Sequence, residues 1–158
     1  MNWLEVCEHP ALQNLPFKIE LDETGKIIMA PTKVYHSIYQ GDMAYRLQTL
    51  APTGKAIVEC AIATRKGTKV ADVAWASPER VATIWSETEC SIAPEVCVEV
   101  LSSANIGREM RTKRQLYFEQ GALEVWLCDP EGRITFFSRD SQKEHSTLFP
   151  DFPLEITK

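Results

Sequence analysis

The chain has 158 residues and a formal net charge of -5 at pH 7, from 17 Lys+Arg against 22 Asp+Glu. Its 44% apolar and 25% charged residues are those of an ordinary globular protein and exclude global disorder. The acidic balance argues against a protein that coats nucleic acid, since such proteins carry net positive charge, but leaves room for local contact with a phosphate backbone.

One domain spanning 1–158 is expected at this length. Such a chain can bury a core without disulfides or metals to hold it. No apolar stretch approaches the roughly 20 residues needed to span a bilayer, so no membrane partner is expected. Met1 to Val6 lacks the basic and apolar regions of a signal peptide. The expected location is therefore cytoplasmic. The five cysteines, Cys7, Cys60, Cys90, Cys97 and Cys128, are odd in number and contain no CxxC pair, which fits a reducing compartment and speaks against a zinc site.

In chain order, residues 2–13 read as a short helical lead-in ending before Pro16. Phe17 to Leu21 and Lys26 to Met29 read as a hairpin around the turn residues Asp22 to Gly25. From residue 33 to 50 the period becomes helical, with His36, Tyr39, Met43, Leu47 and Leu50 on one face. Pro52 and Gly54 close that helix. Residues 55–62 and 69–76 read as strands joined by a turn at 65–67. Residues 78–88 read as either a short helix or a loop. The β-branched run 95–101 reads as a central strand buried on both faces. A second helix is expected over 105–120, capped by Gly121. Strands follow at 123–128 and 133–138, joined by the turn Asp129 to Gly132. The proline-containing tail 148–156 reads as an irregular edge segment. The order β-β-α-β-β-β-α-β-β implies an α/β (α+β) fold, a mixed sheet flanked by helices.

Two carboxylates fall where strands normally exclude them. Asp72 interrupts Val70-Ala71-Asp72-Val73, and Glu99 sits in Val96-Cys97-Val98-Glu99-Val100-Leu101, the most apolar strand of the chain. A buried carboxylate is costly unless a cation holds it or it takes up a proton. One reading is a shared hard divalent cation. The other is that one or both face solvent or pair with an arginine. Lys113 lies on the inward stripe of the second helix with Ile106, Met110, Tyr117 and Gln120. It is either aimed at the end of the sheet or paired with Glu109 one turn away, and both can hold if Glu109 orients it. Arg108, Arg111, Lys113 and Arg114 form a dense basic run, readable as a phosphate-contacting or merely solvated face. Glu20 either extends the carboxylate cluster or faces water. His36 opens the first helix on its apolar face, the usual place of a structural histidine. Ser102 and Ser103 suit turn or N-cap hydrogen bonds. No GxSxG, P-loop or GxGxxG is present, which removes the usual support for serine hydrolase, P-loop and dinucleotide-binding readings.

These residues resemble the Uma-type family of restriction-endonuclease-like proteins, within the PD-(D/E)xK nuclease superfamily. The resemblance runs over Glu20 and Gly25, His36, Asp72, Glu99 to Ser102, Glu109 with Lys113, Tyr117 and Gly121, and Trp126 to Pro130. It covers about residues 16–156, with the spacing kept best from Ser102 to Pro130. The chain departs from the pattern at Ala71 and Ser103, where the family carries proline, and at Glu109, where it carries aspartate. The superfamily's strand lysine falls at Leu101, and in this family its role is expected to pass to the helix, at Lys113. The resemblance implies a restriction-endonuclease-like fold and a nuclease acting on DNA. Asp72 and Glu99 would bind Mg²⁺ or Mn²⁺ with the Val100 carbonyl as a further ligand, and Lys113 would act in catalysis. Glu20, His36, Ser102 and Tyr117 would support them. A homodimer is the expected assembly, with Trp75 and Trp85 as candidate interface aromatics unless either is core. Two rivals stay open: a non-catalytic binding protein on the same scaffold, and a metal-dependent hydrolase of a small phosphoester.

Overall fold

The computed structural model describes residues 1–105 and 107–158. A short helix α1 (Trp3–Glu8) and a 3-10 turn (Pro10–Leu12) lead into the hairpin β1 (Phe17–Leu21) and β2 (Ile27–Pro31). Next come α2 (Val34–Leu50), β3 (Lys55–Thr64), β4 (Gly67–Ala76), α3 (Pro78–Ile84) and β5 (Val96–Val100). The chain finishes with α4 (Gly107–Glu119), β6 (Glu124–Cys128), β7 (Ile134–Ser138) and β8 (Gln142–Lys143). Six strands form one sheet in the order β3-β4-β5-β6-β7-β8, while β1 and β2 form a separate two-stranded sheet. Of the strands among the described residues, only β5 and β6 pair with each other in parallel. The parallel pair requires a crossover, and α4 supplies it.

The six-stranded sheet is covered on both faces. Tyr39, Met43 and Leu47 of α2 pack with Val73, Val96, Val98, Val100 and Trp126 on one side. Tyr117 and Phe118 of α4 and Ile84 of α3 pack with Cys60, Ala71, Cys97 and Val125 on the other. β5 is buried at all five positions, as its apolar run predicts. Gly121, at φ 106, ends α4 in the left-handed conformation that favours glycine. No helix among the described residues is long and apolar enough to cross a membrane.

Several expectations change. Residues 78–88 begin as helix α3, because Ser77 accepts from the Arg80 N–H and Pro78 starts the first turn. Leu50 is exposed rather than part of the α2 stripe. Ile106, placed on the α4 stripe, lies outside the described residues. β8 has no sequence counterpart; two residues carry too little pattern to read. The tail runs irregularly along the edge of the sheet, as expected, with Glu155 bridging Arg133 and the Ile156 N–H donating to the Gly132 carbonyl, but it is not confined to the edge. Phe149, Phe152 and Ile156 enter the core, with the Phe152 ring 4.6 Å from that of Trp126. Burying two aromatic rings outweighs the irregular backbone that the prolines impose. Trp75 also belongs to the core, edge-on to Phe149 with its indole N–H donating to the Ala51 carbonyl, whereas Trp85 is exposed.

Candidate active site

The site forms where two neighbouring strands part. β4 and β5 pair through Trp75–Val96, Ala74–Cys97 and Val73–Val98. The next pair in this register would set Asp72 against Glu99, and there the ladder stops. Two carboxylates facing each other across strands repel. Asp72 instead turns into the opening, where its Oδ2 accepts the Val100 N–H at 2.8 Å. A side chain thus replaces the ladder hydrogen bond that Val100 has lost. On the other side of β4, the Glu59–Asp72 pair is also missing, with Glu59 at φ 54. Gln40 of α2 spans this break, donating to the Asp72 carbonyl at 3.0 Å and to Glu59 Oε1 at 2.9 Å.

The β1–β2 hairpin brings two further charges. It docks on β4 at three points. The Val70 N–H donates to Glu20 Oε2 at 2.7 Å, and Lys69 Nζ donates to the Leu21 carbonyl at 2.9 Å. Gly67, at φ 88, lies so close to the Leu21 and Asp22 carbonyls that a Cβ would collide with them. Lys18 and Glu20 alternate with apolar residues along β1 and share one face. That face looks onto Asp72 and Glu99.

Lys18 Nζ lies 3.0 Å from Asp72 Oδ1 and 3.1 Å from Glu99 Oε2, bridging the two carboxylates. Lys113 Nζ, from α4, lies 2.8 Å from Glu20 Oε2 and 3.0 Å from Glu99 Oε1. Tyr117, one turn after Lys113, donates its hydroxyl to Glu99 Oε1 at 2.6 Å. His36 Nε2 lies 3.3 Å from Asp72 Oδ2, while its Nδ1 has no hydrogen-bond partner among the described residues. Asp72 and Glu99 are almost wholly buried, with side chains 1% and 4% exposed.

Burial and charge pull these groups in opposite directions. Burial opposes ionisation of Asp72, but the His36 hydrogen bond, the Lys18 ammonium and the Val100 N–H overcome it and hold its carboxyl well below the usual range. Burial also opposes ionisation of Glu20, yet Lys113 and Lys18 bring it below its ordinary value. Glu99 goes the other way. Burial, with Asp72 and Glu20 adding repulsion, raises it despite both lysines. Lys18 is disfavoured by burial, but Glu99, Asp72 and Glu20 raise it well above the ordinary lysine range, so it is a firm cation. The Asp72 hydrogen bond, against the cost of burial, raises His36.

Asp72, Glu99, Lys113, Glu20, His36 and Tyr117 therefore converge, and the solvent-facing readings of Asp72, Glu99 and Glu20 do not hold. The Glu109–Lys113 alternative does not hold either. Glu109 is exposed and the ion pairs of Lys113 go to Glu20 and Glu99. The carboxylates inside the sheet offer Lys113 a drier partner than the helix surface does. Ser102 makes a turn, its N–H and hydroxyl donating to Asn105 Oδ1, and it lines the same cleft with Val100. Sequence reasoning missed Lys18 and Gln40. The alternation Lys18–Glu20 and the one-turn spacing His36–Gln40 were the available signals.

The donor set bears on a metal. Among the described residues no group of three or more His, Cys, Asp or Glu side chains gathers around one point. Two carboxylate oxygens, Asp72 Oδ1 and Glu99 Oε2, do converge on one cationic centre, the Lys18 ammonium. Magnesium sites commonly use one or two carboxylates, with water and substrate phosphate completing the shell. The pair fits such an ion at the position that Lys18 now holds. The cleft at the cluster has a volume of about 110 Å³. Beside it runs a groove of about 490 Å³ whose lining includes Lys66, Lys69, Arg108 and Lys113.

The architecture has a solved counterpart. A crystal structure described as "a putative nuclease belonging to DUF820", from Anabaena variabilis, is similar with a TM-score of 0.70 at 20% sequence identity, over 90% of this chain and 83% of that one. A mixed sheet flanked by helices, with acidic residues at parting strands and a lysine beside them, is the architecture of the restriction-endonuclease-like fold. The pattern of the Uma2 family, described as "Putative restriction endonuclease", matches residues 4–155. The chain belongs to the Uma2 family. No curated protein matches it.

Proposed function

We propose that the chain is a divalent-metal-dependent endonuclease that hydrolyses phosphodiester bonds in DNA. The observation that carries this reading is the convergence of Asp72 and Glu99 on one cationic centre beside Lys113. Asp72 and Glu99 would hold Mg²⁺ or Mn²⁺, with the Val100 carbonyl as a further ligand from the same cleft wall. When bound, the ion supplies Lewis-acid stabilisation of charge on a phosphoryl oxygen and acidifies water.

The chain's own residues account for the rest. Lys113 is held by Glu20 on one side and Glu99 on the other, which fixes its ammonium at the cleft. There it would donate to the attacking water or to a phosphoryl oxygen that gains charge in the transition state. Tyr117 fixes one oxygen of Glu99, and His36 and the Val100 N–H fix one oxygen of Asp72. Ser102 shapes the cleft wall. Lys66, Lys69 and Arg108 line the neighbouring groove together with Glu23 and Glu109, and these three cations would be its contacts to a phosphate backbone. A homodimer would let two such sites cut both strands.

The test is plasmid nicking with Mg²⁺ or Mn²⁺, using wild type, Asp72→Asn, Glu99→Gln and Lys113→Met, each shown to be folded. Wild type should nick or linearise the plasmid, and each variant should lose at least about 100-fold in rate. Linear product would indicate cleavage of both strands. Activity that survives in all three variants, or a wild type inert with both ions, refutes the proposal.

A further inference from the structure

We propose that Lys18 is the resident counter-cation of this site, and that a divalent ion enters by exchange with its ammonium. The inference rests on the metal-dependent reading above and adds the residue that controls loading.

The argument comes from how the four carboxylate oxygens are used. Asp72 Oδ2 is committed to the Val100 N–H and faces His36 Nε2. Glu99 Oε1 is committed to the Tyr117 hydroxyl and to Lys113. Each carboxylate thus has one oxygen tied to groups fixed in the sheet or on the helices. The other two oxygens, Asp72 Oδ1 and Glu99 Oε2, both point at Lys18 Nζ. A cation that binds both residues through the oxygens that remain must take the place of that ammonium. The two cannot share it.

Charge leads to the same result. Asp72, Glu99 and Glu20 bring three negative charges, and Lys18 and Lys113 bring two positive ones. A divalent ion added to all five would leave a buried excess of positive charge. A divalent ion added as Lys18 withdraws leaves the cluster neutral. Uncompensated charge in a site this dry is expensive. Lys18 is also placed to leave. It stands on the separate two-stranded hairpin rather than in the main sheet, and its side chain is 10% exposed on the wall of the cleft. Its flexible four-carbon stem can carry the ammonium to water without moving β1. Lys113 is held between Glu20 and Glu99 too, but from α4, and its Glu99 contact is to the oxygen that Tyr117 also holds, so the exchange does not involve it. Lys18 holds the two carboxylates facing one point, which keeps them in place for an ion at the expense of affinity.

Two measurements on the full chain test the exchange. Calorimetric titration with Mn²⁺ compares wild type with Lys18→Met, which keeps the stem and removes the charge. If Lys18 occupies the site in nine molecules out of ten, the variant should bind about tenfold more tightly. Independently of whether that variant folds, wild type is treated with an amine-acetylating reagent and mapped by mass spectrometry. Lys18 should be protected without metal and labelled in saturating Mn²⁺, with Lys66 labelled in both. Tighter binding by Lys18→Met, together with metal-dependent labelling of Lys18, supports the exchange. Equal or weaker binding by the variant, or Lys18 still protected in metal-saturated wild type, overturns the exchange and leaves the metal reading standing. No Mn²⁺ binding by either protein overturns both.

Discussion

Lys113→Met tests whether charge balance governs the stability of the cluster. The Lys113 side chain is 11% exposed, and its ammonium serves two carboxylates, Glu20 at 2.8 Å and Glu99 at 3.0 Å. Methionine keeps most of the stem volume. What goes is the charge, which leaves three carboxylates against Lys18 alone. Removing one member of a buried ion pair costs about 3–5 kcal/mol. Glu99→Gln breaks the same contact from the other side, yet leaves Asp72 and Glu20 balanced by Lys18 and Lys113. Its cost is a misdirected amide, because one acceptor oxygen must replace two that serve Tyr117, Lys113 and Lys18. That is worth about 1–2 kcal/mol. In a chain of this size each kcal/mol moves Tm by about 2–4 °C. Thermal melts at pH 8 should then fall by roughly 6–20 °C for Lys113→Met and by about 2–8 °C for Glu99→Gln. The pH dependence adds a second arm. Burial already raises Glu99 above its ordinary value, and loss of Lys113 raises it further. A carboxyl raised in the folded state contributes stability that is present below its unfolded pKa and lost as pH rises through the folded one. The deficit of Lys113→Met should therefore shrink from pH 8 to pH 5 as Glu99 takes up a proton. Equal melting shifts for the two variants at pH 8, or a deficit that stays constant over that range, would refute the charge-balance argument.

Tyr117→Phe removes a 2.6 Å hydrogen bond to a buried carboxylate. Urea denaturation should show a loss of about 1.5–3 kcal/mol with an unchanged m-value. Gly67→Ala forces a side chain onto a residue at φ 88 and against the Leu21 and Asp22 carbonyls. It should cost more than about 1 kcal/mol and remove hydrogen-exchange protection from residues 17–21 first. Asp72 is held well below its ordinary value, so its stabilisation is present above the unfolded pKa of about 3.9 and lost as pH falls through the folded one. The gap in urea midpoint between wild type and Asp72→Asn should therefore narrow from pH 5 to pH 3, and a gap that widens would contradict this.

Most elements were legible in the sequence, and so were the converging site residues other than Lys18 and Gln40. A strand as apolar as 96–100 has to lie inside a sheet, and a glycine after a run of helical period has to end the helix. Asp72 and Glu99 were legible because a carboxylate in an apolar strand breaks the burial rule, and Lys113 because it breaks the apolar stripe of its helix. Those are local contradictions, and one sequence suffices to see them. The tertiary structure decided what resolves them. Nothing local says that β1 leaves the main sheet and lays Lys18 across a gap between β4 and β5, because docking depends on residues some fifty positions away, at Gly67, Lys69 and Val70. Nothing local says that the ladder stops one pair short, or that Gln40 fills the break beside Asp72. The tail shows the same limit from the side of stability, since its prolines are visible in sequence while the cavity that accepts Phe149 and Phe152 exists only once Trp126 is in place. Local pattern records which groups are out of place, and only the long-range packing of the chain supplies their partners.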